Sequence, residues 1–124
     1  MSVLAPDIEA HFNALVRDAD AFNCERLRGE VSAHKMEIVE AAKSNGLLPV
    51  DIAEALEDAL HGLIDAAFDF SADDQALVVA AAQYFISDDD PRPDTESVLG
   101  LDDDVAVFNH VVELLGQPER LLNV

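Results

Sequence analysis

The chain has 124 residues, half of them apolar, a single cysteine and a formal net charge of −19. That length and apolar fraction support one folded domain with its own core, and the lone Cys24 excludes an internal disulfide and a multi-cysteine zinc centre. The charge has the wrong sign for phosphate, which argues against direct binding to nucleic acid or to an anionic membrane.

The charge is also uneven. Residues 1–45 carry five Lys/Arg and eight Asp/Glu, a net of −3, whereas residues 46–124 carry two and eighteen, a net of −16. The opening residues lack a basic segment followed by an apolar signal core, and no apolar run reaches the roughly 18–20 residues of a membrane span, so a cytoplasmic location is expected.

Pro6 suits the first position of a helix. Asp7 and Glu9 favour the positive end of its dipole, and Ile8, Phe12, Leu15 and Val16 recur at helical spacing, with His11 beside them. Asn23 is a cap for a second helix that runs to about Ser44, with Leu27, Val31, Ile38 and Val39 inward and Glu25, Gly29, Glu30 and His34 on the wetter side. Gly29 costs about 1 kcal/mol against alanine inside a helix, which predicts a close helix crossing at that point. Asn45-Gly46 stops the helix.

A third helix spans about Pro49–Phe68, with a stripe of Ile52, Leu56, Leu60, Leu63 and Ile64. Asp51, Glu54, Glu57, Asp58 and Asp65 cover its other side with no cation among them, so the helix lacks stabilising i,i+4 ion pairs. Ser71 followed by Asp74 resembles a capping box for the fourth helix. Leu77–Ile86 is apolar almost all round, which predicts a central, buried helix. Pro91 and Pro93 then exclude a continuous helix, and residues 87–103 read as an acidic hinge loop. Asp102 or Asp103 caps a fifth helix, about Asp103–Leu115, that Gly116-Gln117-Pro118 ends; Leu121 and Leu122 pack the tail. The fold class expected is thus all-α: a single domain over residues 1–124, a bundle of about five helices with a long Pro-containing acidic loop between the last two.

Tyr84-Phe85-Ile86-Ser87, Asp90, Pro93-Asp94, Val98-Leu99-Gly100, Asp103-Asp104 and Ala106-Val107 resemble the signature of the YkvA-like family, also called domain of unknown function 1232. That signature has an aromatic and apolar helix end, Asp-Leu-Ile-Pro-Asp, a glycine about five residues on, and Asp-Asp before another apolar helix. The resemblance covers about 24 residues, 84–107. It implies a helix–acidic loop–helix unit in which Tyr84, Asp90, Pro93, Asp94, Gly100, Asp103 and Asp104 are the structural motif, and it carries over no catalytic residue. Pro91-Arg92 and Thr95-Glu96-Ser97 replace the family's apolar residues, so the chain is similar to a polar version of members that look membrane-associated.

No nucleophile elbow, phosphate loop or dinucleotide fingerprint occurs, and no enzyme is expected. His11, His34, His61 and His110 lie on four different predicted helices without a Glu-x-x-His motif, which disfavours a di-metal bundle site. Clustered carboxylates suit Ca²⁺ or Mg²⁺, and Asp90, Asp94 and Asp103 are the candidate ligands, but the EF-hand spacing of glycine and glutamate fails from Asp88 and from Asp90.

With no cofactor required, the leading expectation is a small acidic protein that neutralises a basic protein partner. An immunity protein or antitoxin for an intracellular toxin such as a nuclease is the concrete form. Its contact set is Asp51, Glu54, Glu57, Asp58, Asp88, Asp89, Glu96 and Asp102, where negative potential steers a cationic surface. The alternatives are a divalent-metal protein using the hinge and a helical homodimer or scaffold subunit whose charge serves solubility.

Overall fold

A computed structural model describes residues 4–19, 21–44, 46, 48–86 and 100–122, with Gly100 described by its backbone alone. Its α-helices are α1 (Pro6–Arg17), α2 (Cys24–Ala42), α3 (Val50–Ala66), α4 (Ala72–Ile86) and α5 (Gly100–Leu114), with 3₁₀ turns at Ala67–Asp69 and Pro118–Arg120. No strand occurs among the described residues. The protein is therefore an all-α bundle, as the helical spacing of its apolar residues requires. No helix among the described residues is long and apolar enough to cross a membrane.

Local signals set most of the helix starts. Pro6 occupies the first turn of α1, with Asp7 and Glu9 beside it. The Asn23 side chain accepts a hydrogen bond from the Arg26 amide at 3.0 Å, satisfying one of the free donors of α2. The Ser71 hydroxyl does the same for the Asp74 amide at 3.2 Å, at the start of α4. The end of α5 is a Schellman turn: Gln117 N–H reaches the Val112 carbonyl at 2.8 Å and Gly116 N–H the Glu113 carbonyl at 3.1 Å. Gly116 takes φ +71° there, which a residue without Cβ adopts freely.

Helix α4 is the centre of the bundle and packs against α1, α2, α3 and α5. Val78, Ala80, Ala82 and Tyr84 are fully buried on it. Its alanines let neighbours approach, and larger side chains fill the space around them: Phe12 from α1, Leu56, Leu60 and Leu63 from α3, Phe108 from α5. Each such side chain contributes about 1.5–3 kcal/mol through removal from water. The tail is held by Asn109, which donates to the Leu122 carbonyl at 3.1 Å and accepts from the Leu122 amide at 2.8 Å.

Three expectations need correction. His34 is buried rather than wet: it is 3% exposed and meets the Phe85 ring edge-on at 4.9 Å. From Val31 to Ile38 is two helical turns, and the core slot between them falls on residue 34 whatever its polarity. Gly29 supports no close crossing, since nothing among the described residues lies within 4 Å of where its Cβ would be. Finally, α5 begins at Gly100, so the expected hinge 87–103 loses its last four residues to helix; the remainder lies outside the described residues. Leu101 is fully buried, and its docking extends the helix one turn earlier than a cap at Asp102 or Asp103 allows.

Candidate functional site

Asp51, Glu54 and Asp58 stand at i, i+3 and i+7 on α3 and are all exposed. They form one stripe along the outer side of the helix, because the opposite side buries Ala53, Leu56, Leu60, Leu63 and Ile64. Asp65, one heptad past Asp58, continues the line. None of Asp51, Glu54 and Asp58 has a cation within ion-pair distance among the described residues.

The cations on and just past α2 are engaged elsewhere. On α2, Arg26 Nε meets Glu30 at 2.8 Å, and Lys43, just past its end, meets Glu40 at 2.9 Å. Across the α2–α3 seam, Arg28 pairs with Asp65 at 2.7 Å and Lys35 with Glu57 at 3.5 Å. Glu57, expected in the contact set, is therefore turned toward α2: its side chain is 16% exposed and that of Lys35 is 19%. The angular step of 100° per residue places 57 on the edge of α3 that α2 covers.

The same seam holds His61. Its Nε2 lies 3.2 Å from the Arg28 carbonyl and 3.1 Å from Ser32 Oγ. The Arg28 carbonyl can only accept, and which way the Ser32 contact runs follows the tautomer of the ring. Ser32 and His61 thus form a buckle between α2 and α3. Cys24 sits at the end of the seam, its thiol donating to Asp65 Oδ1 at 3.5 Å. Partial burial first, and then the hydrogen bond and negative charge of Asp65, push this thiol above its ordinary value, although Arg28 pulls the other way.

The expected motif residues divide between core and undescribed chain. Tyr84 is fully buried and meets His11 edge-on at 5.3 Å. Gly100 opens α5, Asp102 is exposed in its first turn, and Asp103 and Asp104 are 4% and 3% exposed. Asp88, Asp89, Asp90, Pro93, Asp94 and Glu96 lie outside the described residues. Of the proposed metal ligands, only Asp103 is therefore located, and no group of three or more His, Cys, Asp or Glu able to hold a metal ion occurs among the described residues. The imidazoles meet different neighbours: His11 meets Tyr84, His34 meets Phe85, His110 meets Phe12 and His61 meets Ser32.

Two features carry no expectation from sequence. Phe68 is 74% exposed. It was inconspicuous because an apolar residue at a helix end reads as core; Ala67 takes the buried slot after Ile64 and leaves Phe68 outside. An open cleft of about 430 Å³ is lined by Ala19, Ala21, Phe22, Ala72, Gln75 and Ala76, and Gln75 is bonded to the carbonyl of Ala67, the residue before Phe68. A cleft between a helix and a connecting segment leaves no periodicity to read; the sole hint is the density of alanine on both walls. Comparison with known proteins adds no relative: no family model, no curated protein and no solved structure matches the chain.

Proposed function

We propose that this is a small acidic binding protein of the cytoplasm that neutralises a basic protein partner, most concretely as an immunity protein or antitoxin against a toxin such as a nuclease. One observation carries this proposal: the partition of charge. Cations of α2 pair with carboxylates on α2 itself and at the α2–α3 seam, while Asp51, Glu54 and Asp58 face solvent with no counter-charge among the described residues. A rigid helix bearing such a stripe fits a groove that binds phosphates, and the long-range field raises the association rate.

The experiment is capture from an extract of the source cell on immobilised protein, washed at low and then high salt, with Glu54→Lys/Asp58→Lys as the comparison. The expected result is a basic protein that is released by salt, is lost with the double reversal, and has its activity inhibited when the soluble protein is added back. Capture that ignores both salt and charge reversal overturns the proposal.

A further inference from the structure

We propose that the cleft between the α1–α2 connection and the start of α4, with Phe68 at its rim, is the docking site for a basic amphipathic segment of the partner protein. This rests on the function proposed above and specifies the partner's chemistry: apolar anchors flanked by lysine or arginine. The cleft has small walls, with Ala19 and Ala21 on one side and Ala72 and Ala76 on the other, and Phe22 against it. Ala72 and Ala76 are one turn apart on α4, so a segment lying along that helix meets both.

Phe68 belongs to the same surface. Gln75, in the cleft wall, donates through Nε2 to the Ala67 carbonyl at 3.0 Å and so fixes the turn bearing Phe68 to the rim. An exposed aromatic on a turn tied to a small-walled cleft has the form of a binding hot spot, where one ring fills a partner's pocket. Scattered exposed apolar residues need no explanation; this one is 74% exposed on a turn bonded to a cleft-lining side chain.

Charge decides the occupant. Asp18 is the chain neighbour of Ala19, Asp73 of Ala72, Asp74 of Gln75 and Asp69 of Phe68, and none of the four is ion-paired among the described residues. Arg17 is the one cation adjoining this rim in sequence. A second copy of this chain offers a matching ring and cleft, but it would set the two rims of Asp18, Asp69 and Asp73 against each other, and like charges across an interface oppose association. A basic segment meets no such opposition. The rim also lies just beyond the α3 stripe, Phe68 following Asp65 by three residues, so one partner can engage both.

The test titrates the full chain with two synthetic helical peptides of equal length and charge, one of lysine and leucine and one of lysine and serine. Calorimetry reads the affinity and backbone amide shifts read the location. The lysine–leucine peptide is expected to bind at least about tenfold more tightly, with shifts centred on Phe22, Phe68, Ala72 and Ala76. Phe68→Ala and Ala72→Gln should each weaken it about tenfold or more and leave the lysine–serine peptide unchanged. Both positions are exposed, so both variants are expected to fold, which a melting curve checks. Equal affinity for the two peptides, or indifference to both substitutions, overturns the docking site while leaving the acidic binding function standing. Failure of both peptides to bind at low salt overturns both. A concentration-dependent dimer in sedimentation that Phe68→Ala abolishes makes a second copy the occupant and also overturns the proposal.

Discussion

Replacing Glu54 by lysine should stabilise the protein while weakening its partner binding. Glu54 stands three residues after Asp51 and four before Asp58, and all three are exposed without a cation among the described residues. Like charges at these spacings cost roughly 0.2–0.5 kcal/mol each on a helix surface, and opposite charges return a similar amount. Reversing position 54 converts two repulsive pairs into attractive ones, a ceiling of about 1–2 kcal/mol. Two effects lower it. Lysine preceding aspartate is the weaker order, and a cation at the fifth position of α3 still feels a little of the helix's positive end. The net is about 0.5–1 kcal/mol, or a rise of about 2–4 °C in Tm for a domain of this size. Circular dichroism melts of wild type, Glu54→Gln and Glu54→Lys at about 0.02 M and about 1 M salt provide the measurement. The glutamine variant should fall midway, and the gain should largely vanish in high salt, where screening acts within about 3 Å. A lower Tm for Glu54→Lys in low salt, or a gain that survives high salt, refutes the electrostatic account of this face.

Gly29→Ala should raise stability by about 0.5–1 kcal/mol, read as a shifted urea midpoint, since the residue lies inside α2 with open space around its Cβ position. Glu57→Gln should cost about 1–2 kcal/mol by leaving the half-buried Lys35 ammonium without its counter-charge, and Lys35→Met/Glu57→Met should recover most of the loss in the same assay. The raised Cys24 thiol should be alkylated more slowly at pH 8 than an unstructured thiol, because less of it is thiolate; Asp65→Asn removes the charge that helps to hold the proton and should speed the reaction.

The fold was legible in the sequence where apolar spacing and capping chemistry agree. Asn23, Ser71 and Gly116 each punctuate a helix where local hydrogen bonding dictates, and the apolar run of α4 could only be satisfied at the centre of the bundle. Legibility failed where packing overrode polarity. His34 fills a core slot that the helical period assigns to it, although histidine alone reads as surface. Leu101 draws α5 one turn earlier than a cap at Asp102 or Asp103 would place it. At the candidate site, the stripe of Asp51, Glu54 and Asp58 follows from the spacing. The turning of Glu57 toward Lys35 does not, because it depends on which edge of α3 helix α2 covers. Phe68 and its cleft depend on how a connecting segment lies against α4, a relation between residues about fifty positions apart.

A charge of −19 has a simple explanation in solubility, and that explanation makes a different demand on position. Solubility depends on net charge and on the absence of apolar patches, so carboxylates serving it are interchangeable across the surface. Carboxylates serving a partner are not. The variant Glu54→Lys with Lys43→Glu separates the two, because it keeps the net charge while moving one negative site from the α3 stripe to the end of α2. The cost at position 43 is small, since the Lys43–Glu40 pair is 70% and 74% exposed and such pairs contribute little. The swapped protein should therefore match wild type in precipitation by ammonium sulfate and remain folded. If the stripe is an interface, binding to the basic partner should fall by about tenfold or more despite the unchanged charge, with most of the change in association rate at low salt. Equal binding by the two proteins would mean that only the total charge matters, and the stripe would then be a solvated face with no recognition role.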